Sequence, residues 1–188
     1  LPFKEIVPVR QALAEKGQRT VFNILGPLIN PAKPAHQLLG VFSDSVMELM
    51  AGVEHSLGLK AGMIAHCDLG SEGGMDEFSV AGDNLVRGFG DLNGLSESWR
   101  PMEMGVESGK LSDLKGGDIA ENMEILDRLL DGSAPKALED SIVVNAAAAF
   151  FIVGRHGSIQ EGVPEARDLL VGGAVREKID QAKAFYQT

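Results

Sequence analysis

Residues 37–67 read "QLLGVFSDSVMELMAGVEHSLGLKAGMIAHC". Two continuous apolar runs, 37–42 and 61–67, flank a segment with helical spacing. Ser43 or Asp44 stands where a helix N-cap belongs, and Gly58 where the helix should close. The pattern predicts strand, helix to about Leu57, strand. Runs that stay apolar rather than alternate point to strands covered on both faces. Just upstream, "RTVFNIL" (19–25) is β-branched and apolar and is predicted as another buried strand. "GPLINPAKPAHQ" (26–37), with three prolines, is predicted as an irregular crossover. The order implies an α/β fold with a mostly parallel sheet flanked by helices.

The flanks extend this reading. "KEIVPVRQALAEK" (4–16) predicts a helix from about Pro8 to Lys16, ended by Gly17. "DEFSVAG" (76–82), "NLVRGFG" (84–90) and "SWRPMEM" (98–104) are short and strand-like. Turn signals at Gly82-Asp83-Asn84 and Asn93-Gly94 separate them, which predicts a small antiparallel or mixed extension. From Gly117 the pattern is helical. Asp118 caps one helix and Gly132 ends it. "PKALEDSIVVNAAAAFFIVGRHG" (135–157) predicts a long buried helix, and two more follow. Residues 1–188 read as a single α/β domain.

Composition narrows the function. Hydrophobic residues make up 44% and charged residues 23% of 188, with net charge -10 and pI about 4.8. Broad nucleic-acid binding needs Lys and Arg to neutralise phosphates, so this acidity argues against it. A small phosphorylated ligand stays open, because it needs only a local pocket. No apolar run of about 18 residues signals a membrane span. The only cysteine, Cys67, allows no internal disulfide and fits a reducing compartment, so a cytoplasmic protein is expected. His36, His55 and His156 are scattered without metal-ligand spacing. His66 reads as a satisfied histidine at a strand end.

Two stretches could carry chemistry. Gly26-Pro27 follows the 19–25 run, where a glycine permits close approach and a proline a rigid wall. Asp76 and Glu77 sit behind Gly73 and Gly74. Taken alone, they read as a solvated acidic turn.

Together these motifs resemble the anthranilate phosphoribosyltransferases. "PVR" (8–10) followed by "RTVFNILGPLINPA" (19–32) is the most specific match. "GGMDEFS" (73–79), "GGDIAENMEILDRLLDG" (116–132), "SIVVNAAAAFFIVG" (141–154) and "EGVPEARDLLVGGAVREKI" (161–179) follow in family order, covering essentially the whole chain. The resemblance implies transfer of phosphoribose from phosphoribosyl pyrophosphate to the amine of anthranilate, in tryptophan biosynthesis. It implies a partial phosphoribosyltransferase or nucleoside-phosphorylase-like domain. The family's glycine-rich pyrophosphate loop and N-terminal helical domain have no counterpart here, and the chain opens without Met. The expectation is therefore the C-terminal part of a longer enzyme, inactive alone and a homodimer at full length.

The resemblance also implies roles. Arg10 would face the carboxylate and ring of anthranilate, a task suited to a planar guanidinium. Gly26 and Pro27 would wall the acceptor, and Asn23 would orient their loop. Asp76 and Glu77 would bind Mg²⁺, which reverses their reading as a plain acidic turn. "AEKG" (14–17) and "CDLGSEGG" (67–74) are longer than the family pattern and flank these positions. Two alternatives are a paralogue using another aromatic or nucleobase acceptor, and a non-catalytic binding protein of the same fold.

Overall fold

The computed structural model describes residues 2–18 and 20–186, with side chains for all of these except residues 2, 3, 22 and 23. The chain forms two compact units, residues 1–34 and 35–188.

The first unit is helical. Helix α1 spans Pro2–Ala14 and carries Pro8 in its interior. It starts a turn and a half earlier than the sequence predicts. Pro8 removes one N–H from the ladder, yet its fixed φ is helical, so the helix continues through it. Gly17 takes a left-handed φ of 67° in the turn that follows. Residue 19 of the predicted 19–25 strand lies outside the described residues, and 20–25 form no strand. Phe22–Leu28 form helix α2, with Pro27 inside it. A short β-branched, apolar run satisfies either element, and here the helix wins.

The second unit is the α/β body. Strand β1 is His36–Gly40 and strand β2 is Ala61–Asp68. They pair in parallel, Leu38 opposite Met63. The connection is the predicted one: Ser43 Oγ accepts from the Ser45 N–H and caps a short 3-10 turn, and helix α3 runs Met47–Ser56. Gly58 follows with φ 78°.

The extension is antiparallel. Strand β3, Gly74–Met75, folds back on β2. Strand β4, Asp83–Gly90, pairs with β2 along its length, and β5, Ser96–Trp99, pairs with β4. With no strand at 20–25, the parallel share of this sheet among the described residues is the β1–β2 pair, and the order is β1-β2-β4-β5. Pro101 ends the β5 stretch and opens a 3-10 turn in place of more strand.

Helices cover the sheet. Helix α4 is Ile119–Leu130, held by a capping box between Asp118 and Glu121. Helix α5 is Lys136–Ile152, α6 is Ile159–Val171 and α7 is Ala174–Tyr186. Helix α5 packs on β1, β2 and α6, while α3 packs on β2 and β4. Met63, Ala65 and Val86 meet Val143, Val144, Ala147 and Ala148 of α5 in one core. That two-sided cover explains why β2 is buried from Ala61 to Cys67. Between α5 and α6, Arg167 pairs with Glu139 and Asp140, and Lys136 reaches Asp140 at 2.7 Å. No helix among the described residues is long and apolar enough to cross a membrane.

Candidate functional site

Asp76 and Glu77 stand beyond the carboxyl end of the parallel pair, where α/β sheets open their ligand crevice. The approach is built by "CDLGSEGG". Gly70 N–H donates to Asp68 Oδ1 at 2.8 Å, and Leu69 N–H donates to Gly73 O at 3.0 Å. Gly73, with φ 101°, lets the chain reverse so that Gly74 and Met75 pair with Asp68 and Cys67. The extra residues thus make a tight return. They deliver Asp76 onto the end of β1. The fit there is close: a Cβ on Gly40 would lie 1.4 Å from the Asp76 carbonyl oxygen.

The chain after Glu77 is also held, though not by a strand ladder. The predicted strand 76–82 is irregular backbone. Its hydrogen bonds go to side chains instead. Asn145 Oδ1 accepts from Phe78 N–H at 3.2 Å, and Asn145 Nδ2 donates to Phe78 O at 2.7 Å. Asn84 repeats the arrangement on Ser79, at 2.8 and 2.9 Å. Ser141 Oγ accepts from Val80 N–H at 3.3 Å. Phe78, Ser79 and Val80 are fully buried, so each of these peptide groups needs a partner. Sequence reading passed over Asn84, Asn145, Ser141 and Gly40. A lone Asn within "IVVNAAAAFF" was the available signal, since a polar group on a buried helix must be bonded.

The two carboxylates are themselves exposed. Partial desolvation, and then the charge of Asp76, push the Glu77 carboxyl upward. A cation would relieve both effects. Among the described residues no group of three or more His, Cys, Asp or Glu is placed to hold a metal. Two carboxylates without a third protein ligand suit Mg²⁺, which keeps waters and shares phosphates. They do not suit a closed zinc site. His66 is buried, and its Nδ1 lies 2.8 Å from Val41 O. A carbonyl only accepts, so Nδ1 carries the proton and the histidine is satisfied, as expected from the sequence. Cys67 is wholly buried, and burial is the main cause that pushes its thiol up to about 11. It is an inert packing residue.

The remaining predicted residues belong to the first unit. Arg10 is exposed on α1. It borders a hollow of about 250 Å³ with Val7, Gln11, Ala14, Gln18 and Thr20. Gly26 and Pro27 lie within α2, not in a loop as the sequence suggested. A Cβ on Gly26 would meet nothing described within 4 Å. The side chain of Asn23 lies outside the described residues.

Comparison with known proteins adds the family. An anthranilate phosphoribosyltransferase from Deinococcus radiodurans is 40% identical over 97% of this chain and 52% of its own length. One from Synechococcus sp. strain RCC307 is 35% identical over 96% and 51%. The chain thus spans about half the length of the curated relatives it matches. The crystal structure of anthranilate phosphoribosyltransferase from Thermus thermophilus superposes with a TM-score of 0.84 at 36% identity, over 98% of this chain and 52% of that one. The Saccharomyces cerevisiae enzyme, solved in complex with phosphoribosyl pyrophosphate and Mg, gives 0.75 at 25% identity, over 91% and 48%. Residues 1–176 match the model of the glycosyl transferase family a/b domain, and the chain belongs to that family.

Proposed function

We propose that this chain is the C-terminal part of an anthranilate phosphoribosyltransferase. The observation that carries the reading is the Asp76–Glu77 pair at the carboxyl end of β1, in a chain whose relatives bear that name. The reaction replaces the bond from ribose C1 to pyrophosphate oxygen with one from C1 to the anthranilate nitrogen. Pyrophosphate leaves with the bonding electron pair, and the amine's proton passes to water or to the departing pyrophosphate. Asp76 and Glu77 would hold Mg²⁺. When bound, the ion supplies neutralisation of charge that grows on the leaving pyrophosphate.

The chain's own residues do the rest of the work assigned here. Arg10 pairs its guanidinium with the acceptor carboxylate, which turns the amine toward the ribose. Gly26 and Pro27 shape the wall beside the acceptor ring, and Asn23 orients that segment. No side chain is assigned as a general base, because positioning and charge stabilisation account for the catalysis asked of it. The full-length polypeptide is a cytoplasmic homodimer in this reading. The 188 residues alone are inactive, since a shared site cannot orient two substrates from one half.

The experiment is a turnover assay of the full-length polypeptide carrying this chain. Anthranilate and phosphoribosyl pyrophosphate should give product only with Mg²⁺ present. Turnover with another aromatic amine but none with anthranilate would overturn the acceptor assignment. Turnover by residues 1–188 alone would overturn the inactivity of the part.

A further inference from the structure

The segment carrying the two carboxylates is fixed at both ends. On the entry side, Gly74 and Met75 are laddered to β2, and Gly40 leaves room for the Asp76 carbonyl. On the exit side, Phe78 is pinned three ways. Its N–H and its C=O both bond the Asn145 amide, and its ring, fully buried, stacks on Trp99 at 6.3 Å and 17°. Only Asp76 and Glu77 lie between these anchors. Their backbone is strung across two residues, and its course depends on where the exit anchor sits.

Asn145 is itself locked. Its Nδ2 also donates to Ser141 O, one turn back on α5, at 2.8 Å. A flipped amide would set its oxygen against two carbonyls, so one orientation alone satisfies the site. The amide thereby imitates a neighbouring strand for one residue, and it does so from the long buried helix.

We propose that Asn145 is a positioning residue for the Asp76–Glu77 pair, setting the geometry with which the two carboxylates meet a divalent cation. This rests on the magnesium reading above. Groups that orient carboxylate ligands tune metal affinity, and their loss typically costs about 10- to 100-fold. Asn145 touches neither metal nor substrate. It acts through the peptide of Phe78.

The test is Asn145→Asp in the full-length polypeptide. The change keeps the size of the side chain and removes the donation to Phe78 O. The Mg²⁺ concentration for half-maximal turnover should rise about tenfold, with far-UV circular dichroism unchanged. Mn²⁺ titration followed by electron paramagnetic resonance should show the same loss of affinity without substrates. Asn145→Ser, which can still reach one carbonyl, serves as the second arm if the carboxylate variant does not fold, and should fall between. A lower melting temperature with an unchanged metal midpoint would mean a structural role only, and would overturn the proposal. Asp76→Asn with Glu77→Gln is run beside these. If that pair leaves the metal dependence intact, the magnesium reading fails and the inference with it. If it shifts the midpoint while the Asn145 variants do not, the inference alone fails.

Discussion

The two stretches that carry the proposed site are built in opposite ways. Along α1 every described side chain is exposed except Ile6 and Leu13, which are half-buried. Arg10 sits on that helix as a long, exposed cation. The 74–80 stretch is short and mostly irregular, yet a ladder, a bare glycine, the buried Asn84 amide and the half-buried Asn145 amide hold its backbone. Ordering an arginine around a ligand costs up to about 2 kcal/mol of rotamer entropy. A carboxylate on an anchored backbone loses far less. In the proposed reading the metal side would thus be preorganised and intolerant of small shifts, while the acceptor side would adapt.

The largest effect should come from the intolerant side. Asp76→Asn with Glu77→Gln in the full-length polypeptide should lower Mg²⁺-dependent turnover by about 100- to 1,000-fold, the scale seen when a group stabilising developing charge is removed. Steady-state rates at saturating Mg²⁺ measure it. A drop smaller than threefold would return the pair to a solvated acidic turn and break the comparison.

Two glycines sharpen it further. At Gly40 an added methyl must push the Asp76 peptide away. Gly40→Ala should cost about 2 kcal/mol of stability, as overpacking does, and raise the Mg²⁺ midpoint. Gly26→Ala meets open space inside a helix. It should be neutral, or stabilising by up to about 1 kcal/mol, while still raising the acceptor KM. Thermal melts and KM values for the two variants should separate cleanly. Equal destabilisation would mean that both segments are packed alike.

The same contrast explains what could be read in advance. The β1–α3–β2 unit was legible because its signals are local: Ser43 caps, Gly58 closes, and the strands are apolar throughout. Segments 20–25 and 76–82 differ from their expected strands. The first is apolar and β-branched and the second is short with an alternating start, and such stretches fit a strand, a short helix or an irregular loop equally well. What decides 78–80 is a set of hydrogen bonds from Asn84, Ser141 and Asn145, the last two more than 60 residues away. No local pattern reports such partners. The candidate site residues were named from motif order alone. The backbone that carries them was not legible.

Arg10 gives a smaller, graded effect. Arg10→Lys retains charge but loses the planar fork. The acceptor KM should rise about tenfold with kcat little changed, and Arg10→Ala should raise it further. The KM of Arg10→Ala should climb less steeply with added salt than that of the unaltered protein, because its charge is gone, while Arg10→Lys should keep the salt dependence. An unchanged KM in Arg10→Ala would remove Arg10 from acceptor recognition. The acceptor assignment would then rest on Gly26, Pro27 and Asn23.

The smallest effect concerns a buried polar group that lacks what Asn84 and Asn145 have. Glu54, on α3, is 1% exposed, and its Oε1 has no hydrogen-bond partner among the described residues. Burial raises its carboxyl above the ordinary value of 4.5. The folded state therefore binds a proton that the unfolded state releases as pH rises past that value. Stability contributed by the protonated form is full below the unfolded value and declines through the window up to the raised one. Glu54→Met fills the same space without a charge to desolvate. It should gain about 1 kcal/mol at pH 7, roughly 2–4 °C in Tm, with the gain fading as pH falls toward 4. Melting curves of both proteins across that range measure it. A loss at pH 7, or a gain independent of pH, would mean that the Glu54 carboxylate is stabilised in the fold as the two asparagine amides are.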